Sequence, residues 1–313
     1  MSIAFTSILP ICFLITLGTA LSYKNFLPAS FFKQLNRLGF YILLPALLFH
    51  SISNANANSI APGLRIGMLM CGCALVVALV AWLLAAKVLK LPLTSCRALA
   101  QAAMRGNLAF SGLPIVLFTF GSDSEIALLA ILSLTPTIPF FNLLAVIILT
   151  PYEISVQKNL ILKTALGVAS NPLVSSCLLG ILALTLQLKI PVPLQRTIKT
   201  LGEAALPCAL LSLGAALSFS TLKAKFYPAL IAALLKIVLM PLLGFLVLLI
   251  CGTTDHATLL TALIFLASPT AVTSYVMAEQ MGADKELAAA AVTLSTILAM
   301  PVTAIILYLL AQG

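Results

Sequence analysis

What this sequence has little of is charge. Asp, Glu, Lys and Arg make up 8% of its 313 residues, while 62% are hydrophobic and the mean hydropathy is +1.17. So few polar side chains cannot cover a water-soluble globule, and a bilayer must serve as the solvent. A sizeable soluble domain is excluded as well. Each spanning helix needs about 20 apolar residues, and with short connections the length is used up by roughly ten spans.

Other absences narrow the chemistry. The sequence has no Gly-rich nucleotide loop, no triad spacing and no metal-ligand cluster, so ATP-driven pumping, hydrolysis and a resident cofactor lack support. It is not expected to be an enzyme, because an intramembrane enzyme needs a facing catalytic pair that none of its polar residues supplies. The seven cysteines are an odd number scattered through apolar runs, and Cys71 and Cys73 stand at a poor metal spacing. Met1 to Phe5 lacks a basic stretch, so the first apolar run is expected to remain as a helix; the alternative is cleavage at Ala20-Leu21-Ser22. The net charge of +9 comes from single Lys and Arg in short loops without interleaved aromatics, which points to membrane topology and away from nucleic acid.

What is there is a series of apolar runs bounded by charges, Pro and Gly. They predict helices near residues 4–22, 35–53, 64–86, 98–120, 125–149, 170–187, 197–217, 226–251, 257–281 and 286–311. Residues 159–168 are ambiguous, with Lys158 and Lys163 suited to an interfacial turn. Loops on one side hold eleven cations, from Lys24, Lys33 and Arg37 through Lys87, Lys90 and Arg97 to Lys223, Lys225 and Lys285. The other side holds Arg65, Lys189, Arg196 and Lys199. The positive-inside rule therefore places both termini outside a multi-pass cell-membrane protein, a bacterial inner membrane being the expected location.

An internal repeat organises these spans. Gly121-Ser122-Asp123-Ser124-Glu125-Ile126-Ala127 returns as Gly282-Ala283-Asp284-Lys285-Glu286-Leu287-Ala288, 161 residues later. Pro45-Ala46-Leu47-Leu48 returns as Pro207-Cys208-Ala209-Leu210, at 162 residues. The chain is thus expected to hold a first five-helix repeat over residues 1–150, a short cytoplasmic connection over 151–158 and a second repeat over 159–313. An odd number of spans per unit makes the second copy inverted.

Two spans should be broken. The fourth carries Arg105-Gly106-Asn107, Ser111 and Gly112-Leu113-Pro114, and the ninth carries Ser268-Pro269-Thr270, Ser274 and Tyr275. Pro removes an amide donor and Gly is a poor helix former, so freed backbone groups could hold an ion or carboxylate near the midplane; the bland alternative is a pair of satisfied kinks. With Pro114 as one breaker and Pro269 as the other, the two breaks are expected out of register. Lys236 falls near the bilayer centre, where it pairs with an anionic substrate, takes the place of a coupling cation or bonds backbone carbonyls. Arg105 either snorkels to the interface or binds substrate. Glu203 and Glu279 suit solvated interfaces better than proton relays. Asn36, Asn142 and Asn171 are polar points in apolar runs, and Asn171-Pro172 also marks a helix start.

These residues together resemble the auxin efflux carrier family. The likeness rests on Asn36 to Phe49, on Arg105-Gly106-Asn107 through Gly112-Leu113-Pro114, on Asn171-Pro172, on Leu201-Gly202 to Pro207, on Lys236 to Pro241 and on Ala267 to Thr296. It implies an all-α membrane protein of ten helices in two inverted five-helix repeats, with spans four and nine crossing at unwound segments, a fold similar to bile-acid symporters and sodium/proton antiporters. It implies that Asn107, Ser111, Pro114, Ser268, Pro269, Thr270 and Ser274 surround the substrate, although plant members carry a proline close to the position of Ser274. The expected activity is secondary transport of a small organic anion such as a mono- or dicarboxylate, with sodium ions or protons as candidate coupling ions and a homodimer as a candidate assembly. The alternative is a receptor or scaffold that keeps the fold and binds without transporting.

Overall fold

The computed structural model describes residues 3–150, 171–253 and 255–310, with side chains from residue 8 onward. The expected connection over 151–158 and the ambiguous stretch over 159–168 lie outside the described residues. Among those described, the chain is helical throughout, apart from one isolated antiparallel bridge between Gly106 and Thr270.

The helices are α1 (Ile3–Tyr23), α2 (Ala29–Ser53), α3 (Ala57–Val88), α4 (Leu93–Met104), α5 (Leu108–Phe120), α6 (Glu125–Leu149), α7 (Pro172–Thr185), α8 (Val192–Ala215), α9 (Leu222–Ile250), α10 (His256–Leu266), α11 (Thr273–Gln280) and α12 (Lys285–Leu310). Six of them, α2, α3, α6, α8, α9 and α12, are long and apolar enough to cross a membrane. The α4–α5 and α10–α11 pairs are each interrupted by a few non-helical residues.

Caps explain several boundaries. Ser124 and Asp255 accept from the amides of Ala127 and Thr258, and Asn171 accepts from that of Leu173, so each satisfies a donor that the first turn leaves free. Asn171 therefore does mark a helix start.

Three prolines explain a local irregularity. Pro45, Pro114 and Pro241 each follow a five-residue π-helical turn by two positions: Gly39–Leu43, Leu108–Gly112 and Leu235–Leu239. A proline donates no amide hydrogen bond and its ring presses on the carbonyl four residues back. That carbonyl lies inside the widened turn in every case, so the extra residue relieves the clash and the helix continues.

Several helices start ahead of expectation: α3 begins at Ala57 against 64 and α4 at Leu93 against 98, and two more early starts share a reason. α2 begins at Ala29, six residues before the predicted 35, and α8 begins at Val192, five before 197. The opening segments of α2 and α8 are amphipathic: Phe32 is buried while Lys33, Gln34 and Arg37 are exposed, and Gly202 is buried while Arg196 and Lys199 are exposed. Their polar faces lower the mean hydropathy that the apolar runs were read from.

Close packing follows small residues. α1 and the second half of α8 meet backbone to backbone: a Cβ on Gly18 would overlap the Leu211 carbonyl, and one on Gly214 would overlap that of Ile15. Thr19 Oγ1 donates across this contact to the Gly214 carbonyl at 2.8 Å. Without water to drive association, such approach is what holds membrane helices together. α2 packs on α7 in the same way, with Gly180 against Ile52. α3 packs along α6, and α9 along α12.

Candidate functional site

The two interruptions meet. Residues 105–107 leave helical geometry, with Arg105 extended at φ −95°, ψ 99°, and residues 267–272 do the same between α10 and α11. The Asn107 amide donates to the Pro269 carbonyl at 2.7 Å, and the Ala271 amide donates to the Arg105 carbonyl at 2.9 Å. Each broken segment thus satisfies backbone groups of the other, as non-helical backbone at membrane depth must. Thr270 adds two bonds, donating from Oγ1 to the Ala102 carbonyl and from its amide to Ser295 Oγ, both at 2.9 Å.

Gly106 makes the approach possible. A Cβ there would stand 2.7 Å from Ser268 Oγ and 3.0 Å from Lys236 Cε, so any side chain would have to displace these two. The break lies at 105–107, ahead of Pro114. Pro114 follows the π turn of α5, whose extra residue accommodates its ring, so the helix runs through it. Adding the 161-residue offset to 105–107 gives 266–268, which overlaps 267–272. The expectation of breaks out of register, which took Pro114 for the breaker, is therefore corrected.

Lys236 is fully buried behind this crossing and donates to the Leu266 carbonyl at 2.6 Å, a group freed by the break. A backbone-carbonyl bond is one of the roles expected of Lys236.

In front of the crossing lies a cavity of about 1390 Å³. One wall comes from α2 and the end of α8, including Asn36, Arg37 and Ser212; the other comes from residues 105–110, the middle of α6 and α11. Of the residues singled out in the sequence, Asn107, Tyr275, Arg105, Asn36, Asn171 and Glu279 line the cavity. Ser111, Pro114, Ser268, Pro269, Thr270, Ser274 and Lys236 are buried in the packing around the crossing and do not line it. Ser268 Oγ is used by its own helix, bonding the Phe265 carbonyl at 2.7 Å.

Arg105 is held inside the protein. It is 8% exposed; Nη1 donates to Met277 Sδ at 2.8 Å and Nη2 to Asn142 Oδ1. Met277 gave no signal in the sequence, being one apolar residue among many. Nearby, Asn107 Nδ2 and Ser212 Oγ are buried without a partner among the described residues.

At the cation-rich end, exposed Glu279 pairs with Lys285 at 2.8 Å, a surface contact. Asp284, in the turn before α12, accepts from Lys225 at 2.8 Å, from Ser95 Oγ at 2.7 Å and from the Leu287 amide at 3.0 Å. Burial pushes its carboxyl pKa up, but these hydrogen bonds and the Lys225 charge outweigh burial and hold it below the usual value. The carboxylate thereby ties α4, α9 and α12 together.

A family model described as membrane transport protein matches residues 3–307. The chain belongs to the membrane transport protein family. The likeness to auxin efflux carriers drawn from Asn107, Asn171 and their neighbours agrees with this membership. Among relatives, a provisionally named malonate transporter of Rhizobium meliloti (strain 1021) is 28% identical over 312 residues, covering 98% of this chain and 95% of its own length. An uncharacterised transporter of Methanocaldococcus jannaschii is 26% identical over 218 residues, 68% of each chain. Among solved structures, a sodium/proton antiporter of the same archaeon, determined at pH 8, superposes with a TM-score of 0.56 at 17% identity, covering 97% of this chain and 92% of its own. That last likeness speaks for the fold of this family member and nothing finer.

Proposed function

We propose that the protein is a secondary transporter of a small organic anion, a mono- or dicarboxylate, working by alternating access. The observation that carries this reading is the pair of interlocked helix breaks heading a cavity whose buried charged lining is cationic. In this reading ten spans form two inverted five-helix repeats, residues 1–150 and 159–313, joined by a connection over 151–158. The helices α1, α2, α7 and α8 form one bundle, and the remaining helices, which carry the crossing, form the other; movement of one against the other would expose the cavity to each side in turn. The cavity mouth holds Lys33, Arg37 and Lys285, which the positive-inside rule assigns to the cytoplasm, so this is an inward-open state with both termini outside. Sodium ions or protons are the candidate driving ions, and a homodimer the candidate assembly.

Uptake into proteoliposomes tests the reading. A panel of labelled mono- and dicarboxylates, malonate included for its place in a relative's name, is offered under inward sodium and proton gradients in turn. Concentrative uptake of at least one compound is expected. No flux of any compound under either gradient would sink the transport claim.

A further inference from the structure

Arg105 is a buried cation with no counter-ion among the described residues. Among the described residues the ion pairs are Lys225–Asp284 and Lys285–Glu279, and neither involves it. Its two guanidinium contacts are neutral: the amide oxygen of Asn142 and the thioether of Met277. A thioether is a weak acceptor, and Met277 Sδ is shared with Gln101 Nε2 at 3.9 Å. A guanidinium carries five donors in a flat fork, so this environment leaves most of its capacity unused.

Keeping an unpaired charge at low dielectric is costly, and a family member that keeps one on a cavity wall has a use for it. Beside it on the same wall, Asn107 is 5% exposed and its Nδ2 has no partner among the described residues. The cation and the spare amide donor are two residues apart on opposite sides of Gly106, in the segment that the crossing with 267–272 holds rigid.

We infer that Arg105 and Asn107 form a carboxylate-binding site, in which the carboxylate of a small organic anion takes the guanidinium fork and the Asn107 amide while Met277 yields its place on Nη1. The inference rests on the transporter reading for its physiological ligand and on the cavity geometry for its existence. It gives the anion's charge to Arg105 and leaves Lys236 to the crossing behind. A bidentate guanidinium–carboxylate pair fixes orientation as well as charge, which a lysine would not do.

The test uses reagents whose charge is the probe. In the full-length protein, Met277→Cys puts a thiol beside the guanidinium, and its modification is followed with methanethiosulfonates carrying either a sulfonate or a trimethylammonium group. The anionic reagent is expected to react at least about ten-fold faster, the scale on which a focused field accelerates encounter. Adding Arg105→Gln should abolish that preference, Arg105→Lys should retain it, and malonate or propionate should slow modification only where position 105 is Arg. Equal rates for the two reagents in the Arg105 protein, or a preference that survives Arg105→Gln, would overturn the site. Should Met277→Cys not fold, Val276→Cys, 41% exposed on the same lining, carries the same measurement. Charge preference and carboxylate protection without proteoliposome flux would uphold the site while removing the transport reading; flux with no preference at position 277 would do the reverse.

Discussion

At the scale of single residues, two buried cations close together have different work. Lys236 lies under Gly106 and gives its ammonium to the Leu266 carbonyl, whereas Arg105 points its guanidinium at groups that need it little. Lys236→Ala should therefore leave the carbonyl unpaired and open a hole beneath the crossing, at a cost of about 3 kcal/mol. Lys236→Met fills the space and should recover part of that loss. Thermal unfolding in detergent reads both, and the second readout is carboxylate protection of the thiol that Met277→Cys introduces in the same background. A Lys236→Ala protein with unchanged stability but no protection would return the anion to Lys236. The sequence marked both residues by their depth, but it could not assign them, because depth along a helix says nothing of which side chain faces a cavity. Met277 was illegible for a related reason: its meaning comes from a contact 172 positions away.

At the scale of elements, hydropathy revealed every described helix, and the misreadings have physical causes. Amphipathic openings at Ala29 and Val192 escape a mean that their polar faces dilute. Pro114 looks like a breaker in sequence, yet after a π turn it breaks nothing. The real break is at Gly106, where two segments of the chain cross and a Cβ would meet Ser268 Oγ and Lys236 Cε. Packing by absence of side chains extends to whole helices. Gly214→Ala should force α8 off α1 and cost roughly 2 kcal/mol, the usual scale for overpacking a tight site. Gly72→Ala is the control: a Cβ there meets nothing within 4 Å, and alanine is the better helix former, so its stability should be unchanged or higher. Unfolding of the two variants in parallel decides it. Equal behaviour would mean that the α1–α8 contact contributes little to stability.

At the scale of the whole molecule, the remaining question is which way the cavity opens, and one native side chain can answer it. α9 starts beside Lys223 and Lys225, on the cation-rich side, and ends at Ile250, so Cys251 emerges at the opposite face from the cavity mouth with its Lys33, Arg37 and Lys285. Cys251 is exposed, whereas Cys71, Cys73, Cys96 and Cys177 are buried and Cys12 and Cys208 are half-buried within the helices. If positive charge sets the topology, a membrane-impermeant maleimide applied to intact cells should label the protein, and Cys251→Ser should remove that label. Maleimides select thiols, and Cys251 is the one exposed cysteine of the seven, which makes this a clean test. Labelling that appears only after the membrane is opened would invert the assignment: the cavity would then face outward, both termini would lie in the cytoplasm, and Arg105 would await an anion arriving from outside the cell.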